Sequence, residues 1–143
     1  MVRFKHRYLV ATVAAGPGQR AELEAKDILA MLKESIATNF GDFGTGSTAS
    51  ALQVRSFDAD SGVCVIRAGR DCHQMVRASL SLLAGTKKTR LSITVEGVAG
   101  CDRTLKAAAM DAYARGYRRA GFDEETALVL LQRQRELLDM PLR

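Results

Sequence analysis

The chain has 143 residues, 47% of them hydrophobic and 26% charged, which fits one ordinary soluble globular domain able to bury a core without covalent staples. A formal net charge of +5 favours a polyanionic partner. Three cysteines without paired spacing (Cys64, Cys72 and Cys101) argue against a disulfide framework and for a reducing compartment, and no stretch approaches the roughly 18 apolar residues of a membrane span.

The opening, MVRFKHRYLVATVAA, runs Arg3, Lys5, His6 and Arg7 straight into apolar residues. A basic start, a short apolar run and Ala14-Ala15-Gly16 imitate a cleaved targeting segment, and the absence of acids from Met1 to Arg20 suits a mitochondrial presequence. The run from Tyr8 to Ala15 is at the short limit for an export signal, contains Thr12 and leads directly into a helix pattern. We therefore read a strand within Phe4–Ala15, with a basic arm ahead of it and the turn Gly16-Pro17-Gly18 after it. A long helix is expected from about Gln19 to Asn39, because Ile28, Leu32 and Ile36 recur every four residues with Leu29 beside them. Lys26, Asp27, Lys33 and Glu34 take its other side, and Phe40 to Gly46 is expected to break it.

Ala51–Phe57 and Val63–Ala68 read as a hairpin about the turn Asp58-Ala59-Asp60-Ser61-Gly62. Asp71 is placed to cap a helix from Cys72 to about Leu83, with Val76, Leu80 and Leu83 on one face and Gly85 closing it. From Thr89 to Val98, Leu91, Ile93 and Val95 alternate with Ser92, Thr94 and Glu96, the pattern of a half-exposed strand.

The order β-α-β-β-α-β is that of an α+β, ferredoxin-like or RNA-recognition-motif sandwich. Four antiparallel strands would carry two helices on one face and leave the other free for a partner or a further element. Two more helices are expected. One, from about Asp102 to Arg119, carries Arg103, Lys106, Arg115, Arg118 and Arg119. The other, from about Asp123 to Leu138, has Ala127, Leu130, Leu131, Leu137 and Leu138 as a stripe that covers the sheet or another helix. Residues 1–100 then form the sandwich core, and residues 101–143 form a helical extension of the same domain.

Chemistry-bearing constellations are sparse. Cys72 and His73 are adjacent, His6 is remote in sequence, and no C-x-x-C or H-x-x-x-H spacing exists, so neither a metal site nor a Cys-His nucleophile is indicated and no cofactor is expected. Gly41 to Gly46 is glycine-rich but lacks the G-K-[ST] ending of a nucleotide loop; it either brings backbone amides to an RNA phosphate or crosses between layers. The third strand, Gly62-Val63-Cys64-Val65-Ile66-Arg67, lacks the aromatics of a base-stacking sheet. RNA would instead be held through basic and backbone groups. Those fall into four sets: Arg3, Lys5, His6 and Arg7; Arg67 and Arg70; Lys87, Lys88 and Arg90; Arg103 and Lys106.

Taken in order, MVRFKHRYL, FGDFGTG, VIRAGRD, QMVRASLSLLAG and TVEGVAGCDRTLK resemble the Pop-five protein subunit family of ribonuclease P and ribonuclease MRP, the opening being most similar to eukaryotic members. The resemblance runs to about Arg119. It implies a non-catalytic, nuclear and nucleolar subunit that supports a catalytic RNA. That RNA removes the 5′ leader from precursor tRNA and, in the MRP particle, processes rRNA. It also implies a TIM-barrel-like protein partner of about thirty kilodaltons. By position it implies RNA-facing roles for Arg3, Lys5, His6, Arg7, Tyr8, Phe43, Gly44, Arg67, Arg70 and Arg103. Ala99-Gly100-Cys101-Asp102-Arg103 departs from the family pattern by losing a threonine and gaining an acid, which counts against phosphate binding at that helix start. Two rivals share the topology: a protein–protein interaction module, and a small-molecule enzyme or regulatory domain, which the scarcity of histidine disfavours.

Overall fold

The computed structural model describes residues 5–16, 22–85 and 90–140. The elements are β1 (His6–Ala15), α1 (Ala25–Thr48), β2 (Gln53–Asp58), β3 (Val63–Gly69), α2 (His73–Ser81), β4 (Leu91–Ala99), α3 (Asp102–Ala120) and α4 (Glu124–Asp139). The strands pair antiparallel in the order β2-β3-β1-β4, as the β-α-β-β-α-β reading requires.

β1 is an inner strand, and successive side chains serve opposite layers. Leu9, Ala11 and Val13 join Ile28, Leu32 and Ile36 of α1 and Val76 and Leu80 of α2. Tyr8 and Val10 join Leu105, Ala109, Ala112, Tyr113 and Tyr117 of α3. The sheet face left for a partner or a further element is therefore covered by such an element, α3, whose apolar side chains recur at three- and four-residue spacing. Ala127, Leu130, Leu131 and Leu138 of α4 close over the α3 side of this core, whereas Leu137 stays 47% exposed.

Several boundaries differ from expectation, each for a local reason. Glu22 to Glu24 are not helical, and α1 starts at Ala25, where Glu24 and Asp27 cap each other reciprocally. The expected start at Gln19 and the turn residues Pro17 and Gly18 lie outside the described residues. The expected break from Phe40 to Gly46 shrinks to Gly41 alone, after which the helix resumes and runs to Thr48. Gly44 and Thr48 continue the four-residue stripe of Ile28, Leu32 and Ile36, so tertiary packing overrides the low helix propensity of the glycines. Asp71 does not cap α2. Cys72 holds the N-cap position, and Asp71 lies 3.6 Å from Arg70 instead.

A bulge shifts the β1–β4 register between Val10 and Ala11, leaving Glu96 out of the pairing. The Glu96 carboxylate accepts hydrogen bonds from Thr12 (2.8 Å) and Arg115 (2.6 Å), with Arg119 at 3.7 Å, and so ties β4, β1 and α3 together. Burial opposes its ionisation, but the bonds from Arg115 and Thr12 outweigh that and hold it below the usual glutamate value. The folded state thus binds this proton less readily than the unfolded chain. The stability it contributes is present above the ordinary value of 4.5 and is lost as the pH falls through the lower folded value. In urea titrations across that acid range, Glu96→Gln should flatten the fall in stability; a profile identical to wild type would refute the linkage.

Candidate nucleic-acid interface

The antiparallel register gathers the start of β1, the ends of β3 and β4 and the start of α3 at one end of the sheet. His6 pairs with Gly69, and Tyr8 pairs with both Arg67 and Ala99. The Arg70 amide donates to the Lys5 carbonyl at 2.9 Å. Lys5, His6, Arg7, Arg67, Arg70 and Arg103 thereby share one rim, although they come from three separate segments.

Two of these guanidinium groups are anchored by backbone. Arg7 Nη1 donates to the His6 carbonyl at 3.1 Å and its guanidinium lies alongside Gly100, while Arg67 Nε donates to the Ala51 carbonyl at 3.3 Å. One N–H is used in each case, which orients the planar fork and leaves other donors outward. Among the described residues, no carboxylate lies within salt-bridge distance of Lys5, Arg7, Arg67 or Arg103. Arg70 has only the solvated Asp71. Unpaired cations held in place at a surface are a phosphate-binding arrangement.

Other expected residues fall differently. Tyr8 is 6% exposed, with the Arg55 guanidinium 5.6 Å from its ring centroid; it supports the rim from beneath. Burial, then the charge of Asp102, raises its hydroxyl pKa. Lys106 is held by Asp139 at the end of α4. Arg3, Lys87 and Lys88 lie outside the described residues, and Arg90 bridges to Gly85 beside β1's far end, where the Gly16 amide meets its carbonyl. The set containing Arg90 is thus separated from the rim. Gly44 is buried in α1, and Phe43 next to it stands out into solvent. Cys72 Sγ donates to the Ser47 carbonyl and His73 Nδ1 lies 2.6 Å from the Arg70 carbonyl, so both are engaged with backbone rather than with each other. Among the described residues, no three His, Cys, Asp or Glu side chains gather as a metal site, and no helix is long and apolar enough to cross a membrane.

Arg55 gave no signal in the sequence, because its role depends on four elements meeting. Its side chain is 14% exposed, lies over Tyr8, approaches Asp102 at 3.6 Å and donates to the Leu138 carbonyl at 3.5 Å. It offsets the added acid at the start of α3 and ties the end of α4 to the sheet. Arg55→Met should cost about 1–2 kcal/mol in urea denaturation, and Arg55→Lys should recover little because an ammonium cannot stack and fork at once. Full stability in Arg55→Met would remove it from this junction.

The sequence profile of the Rpp14/Pop5 family matches residues 7–110. The chain is 26% identical over 117 residues to the probable ribonuclease P/MRP protein subunit POP5 of Arabidopsis thaliana, covering 77% of this chain and 78% of that one. It is 31% identical over 84 residues to ribonuclease P/MRP protein subunit POP5 of Homo sapiens, covering 58% of this chain and 52% of the human one, so the alignment spans about half the human protein's length. The corresponding subunit of Schizosaccharomyces pombe is 26% identical over 121 residues, covering 78% and 87%. A chain in a cryo-EM structure of yeast ribonuclease MRP superposes with a TM-score of 0.56 at 14% identity, covering 95% of this chain and 93% of that one, which establishes a shared fold.

Proposed function

The chain belongs to the Rpp14/Pop5 family, and we propose that it is a non-catalytic, RNA-binding protein subunit of the ribonuclease P and ribonuclease MRP ribonucleoproteins. The observation that carries the RNA-binding part is the rim of Lys5, Arg7, Arg67, Arg70 and Arg103, whose two inner guanidiniums are fixed by backbone carbonyls and lack carboxylate partners among the described residues. Such a rim neutralises phosphates where RNA segments crowd together, and so favours the folded form of the RNA. In this reading the RNA carries out 5′-leader removal from precursor tRNA and cleavage in rRNA processing. The protein contributes charge and shape, sits in the nucleus and nucleolus, and meets a TIM-barrel-like subunit and other particle proteins.

Purification of the tagged chain from cells should recover a structured RNA together with several proteins. A chain recovered alone, with no RNA, would sink the proposal. The rival reading, a protein-only module, loses the open sheet face to α3 and is left with the outer side of α4, where Leu128, Val129, Leu137 and Met140 are exposed. It requires complexes that survive both nuclease and high salt.

A further inference from the structure

We infer that Phe43 is a stacking platform for an unpaired RNA base at the edge of the basic rim; this rests on the RNA-subunit reading and adds the mode of contact. The segment that carries it is firmly built. Gly41, at φ 64° and ψ −154°, occupies a backbone region essentially reserved for glycine, and this break re-aims the turns that follow. Those turns are then fixed. Thr45, Ser47 and Thr48 hydroxyls donate to the carbonyls of Gly41 (3.1 Å), Phe43 (2.6 Å) and Gly44 (2.9 Å). Gly44 sits so close to α2 that a Cβ there would lie 3.2 Å from Met75 Sδ. With Gly44 seated inward, Phe43 beside it is 76% exposed, the most exposed of the large hydrophobic side chains among the described residues.

The same segment is continuous with the rim. The Ser47 carbonyl takes the Cys72 thiol, two residues after Arg70, and the Ala51 carbonyl takes Arg67. Asp42, exposed next to Phe43, repels phosphate. The ring therefore meets the uncharged face of a base while the strand's phosphates lie toward Arg67 and Arg70. Within a helix both faces of a base are already stacked, so only a bulged, looped or terminal base offers a free one.

The test uses the full chain and two RNA stems, one carrying a single bulged 2-aminopurine and one lacking the bulge. Phe43→Ala should weaken binding to the bulged stem about 5- to 150-fold, the range for loss of one base–aromatic stack. It should leave the plain stem and the salt slope unchanged. Phe43→Trp, which adds the chain's first tryptophan, should keep the affinity and change its fluorescence on the bulged stem alone. Equal losses on both stems, or none, would overturn the inference, as would release of a nuclease-resistant protein partner by Phe43→Ala. The plain stem separates the two layers of the proposal. If the wild type shows no salt-dependent binding to it, the RNA-subunit reading falls as well; if that binding is present and Phe43→Ala is neutral, only the stacking falls.

Discussion

Replacing both Arg7 and Arg67 by alanine should lower the slope of log affinity against log salt by nearly 2 on a double-stranded RNA probe, about 0.9 for each phosphate that is no longer neutralised. Affinity at moderate salt should drop about tenfold per arginine, the lower end for a charge-assisted hydrogen bond at an exposed site. Both side chains are oriented by a backbone carbonyl, so little ordering is needed when a phosphate arrives. Arg118, exposed near the end of α3 and two residues after Gly116, which packs on Ser61 in the β2–β3 turn at the other end of the sheet, serves as the control. Arg118→Ala should leave the slope untouched. A slope equally altered by Arg118→Ala would mean that net charge rather than the rim attracts RNA, and a slope unaltered by the double variant would remove Arg7 and Arg67 from the RNA footprint.

Gly116→Val should destabilise the fold by about 3 kcal/mol and lower the melting temperature by roughly 10 °C. A Cβ at Gly116 would lie 2.4 Å from the Ser61 carbonyl oxygen and 2.8 Å from Ser61 Cβ. The β2–β3 turn cannot retreat easily, because Asp58 accepts hydrogen bonds from Ser61 (2.7 Å) and Tyr117 (2.5 Å) and the Gly62 carbonyl takes the Val13 amide at 2.7 Å. Gly46 lies in α1 with open space around it, so Gly46→Ala should be neutral or slightly stabilising. Calorimetry of the two variants checks both. Gly116→Val melting with the wild type would disprove the close approach of α3 to the turn. RNA binding per folded molecule should be unchanged in either case, since this turn sits at the end of the sheet opposite Arg7.

What could be read in advance depended on how many faces of an element are buried. β4 showed its alternation because one side meets the core and the other stays wet. β1 is buried on both sides from Tyr8 to Val13, so its period vanishes and it imitates an export signal. The continuation of α1 through Gly44 was hidden because that glycine is needed by close packing, against Phe40 and Ile36 across the Gly41 break and against Met75 of α2. In α3 the eye is drawn to the arginines, yet Leu105, Ala109, Ala112, Tyr113, Gly116 and Tyr117 carry a helical apolar stripe that foretold burial against the sheet. The members of the rim were legible as cations in each segment, but their convergence came from strand register. The same register carried Arg90 to the opposite end.

With α3 laid across its sheet, this sandwich leaves no broad open plane, and the proposed rim lies end-on, at the strand tips. Four strands spaced about 4.8 Å apart make an edge only about 14 Å wide. If that edge is the RNA-binding rim proposed above, its footprint covers a few phosphates at a point where RNA strands converge and leaves the flanks of each helix bare. On that reading the protein is a wedge at a junction, leaving room for neighbours of similar size on the same RNA.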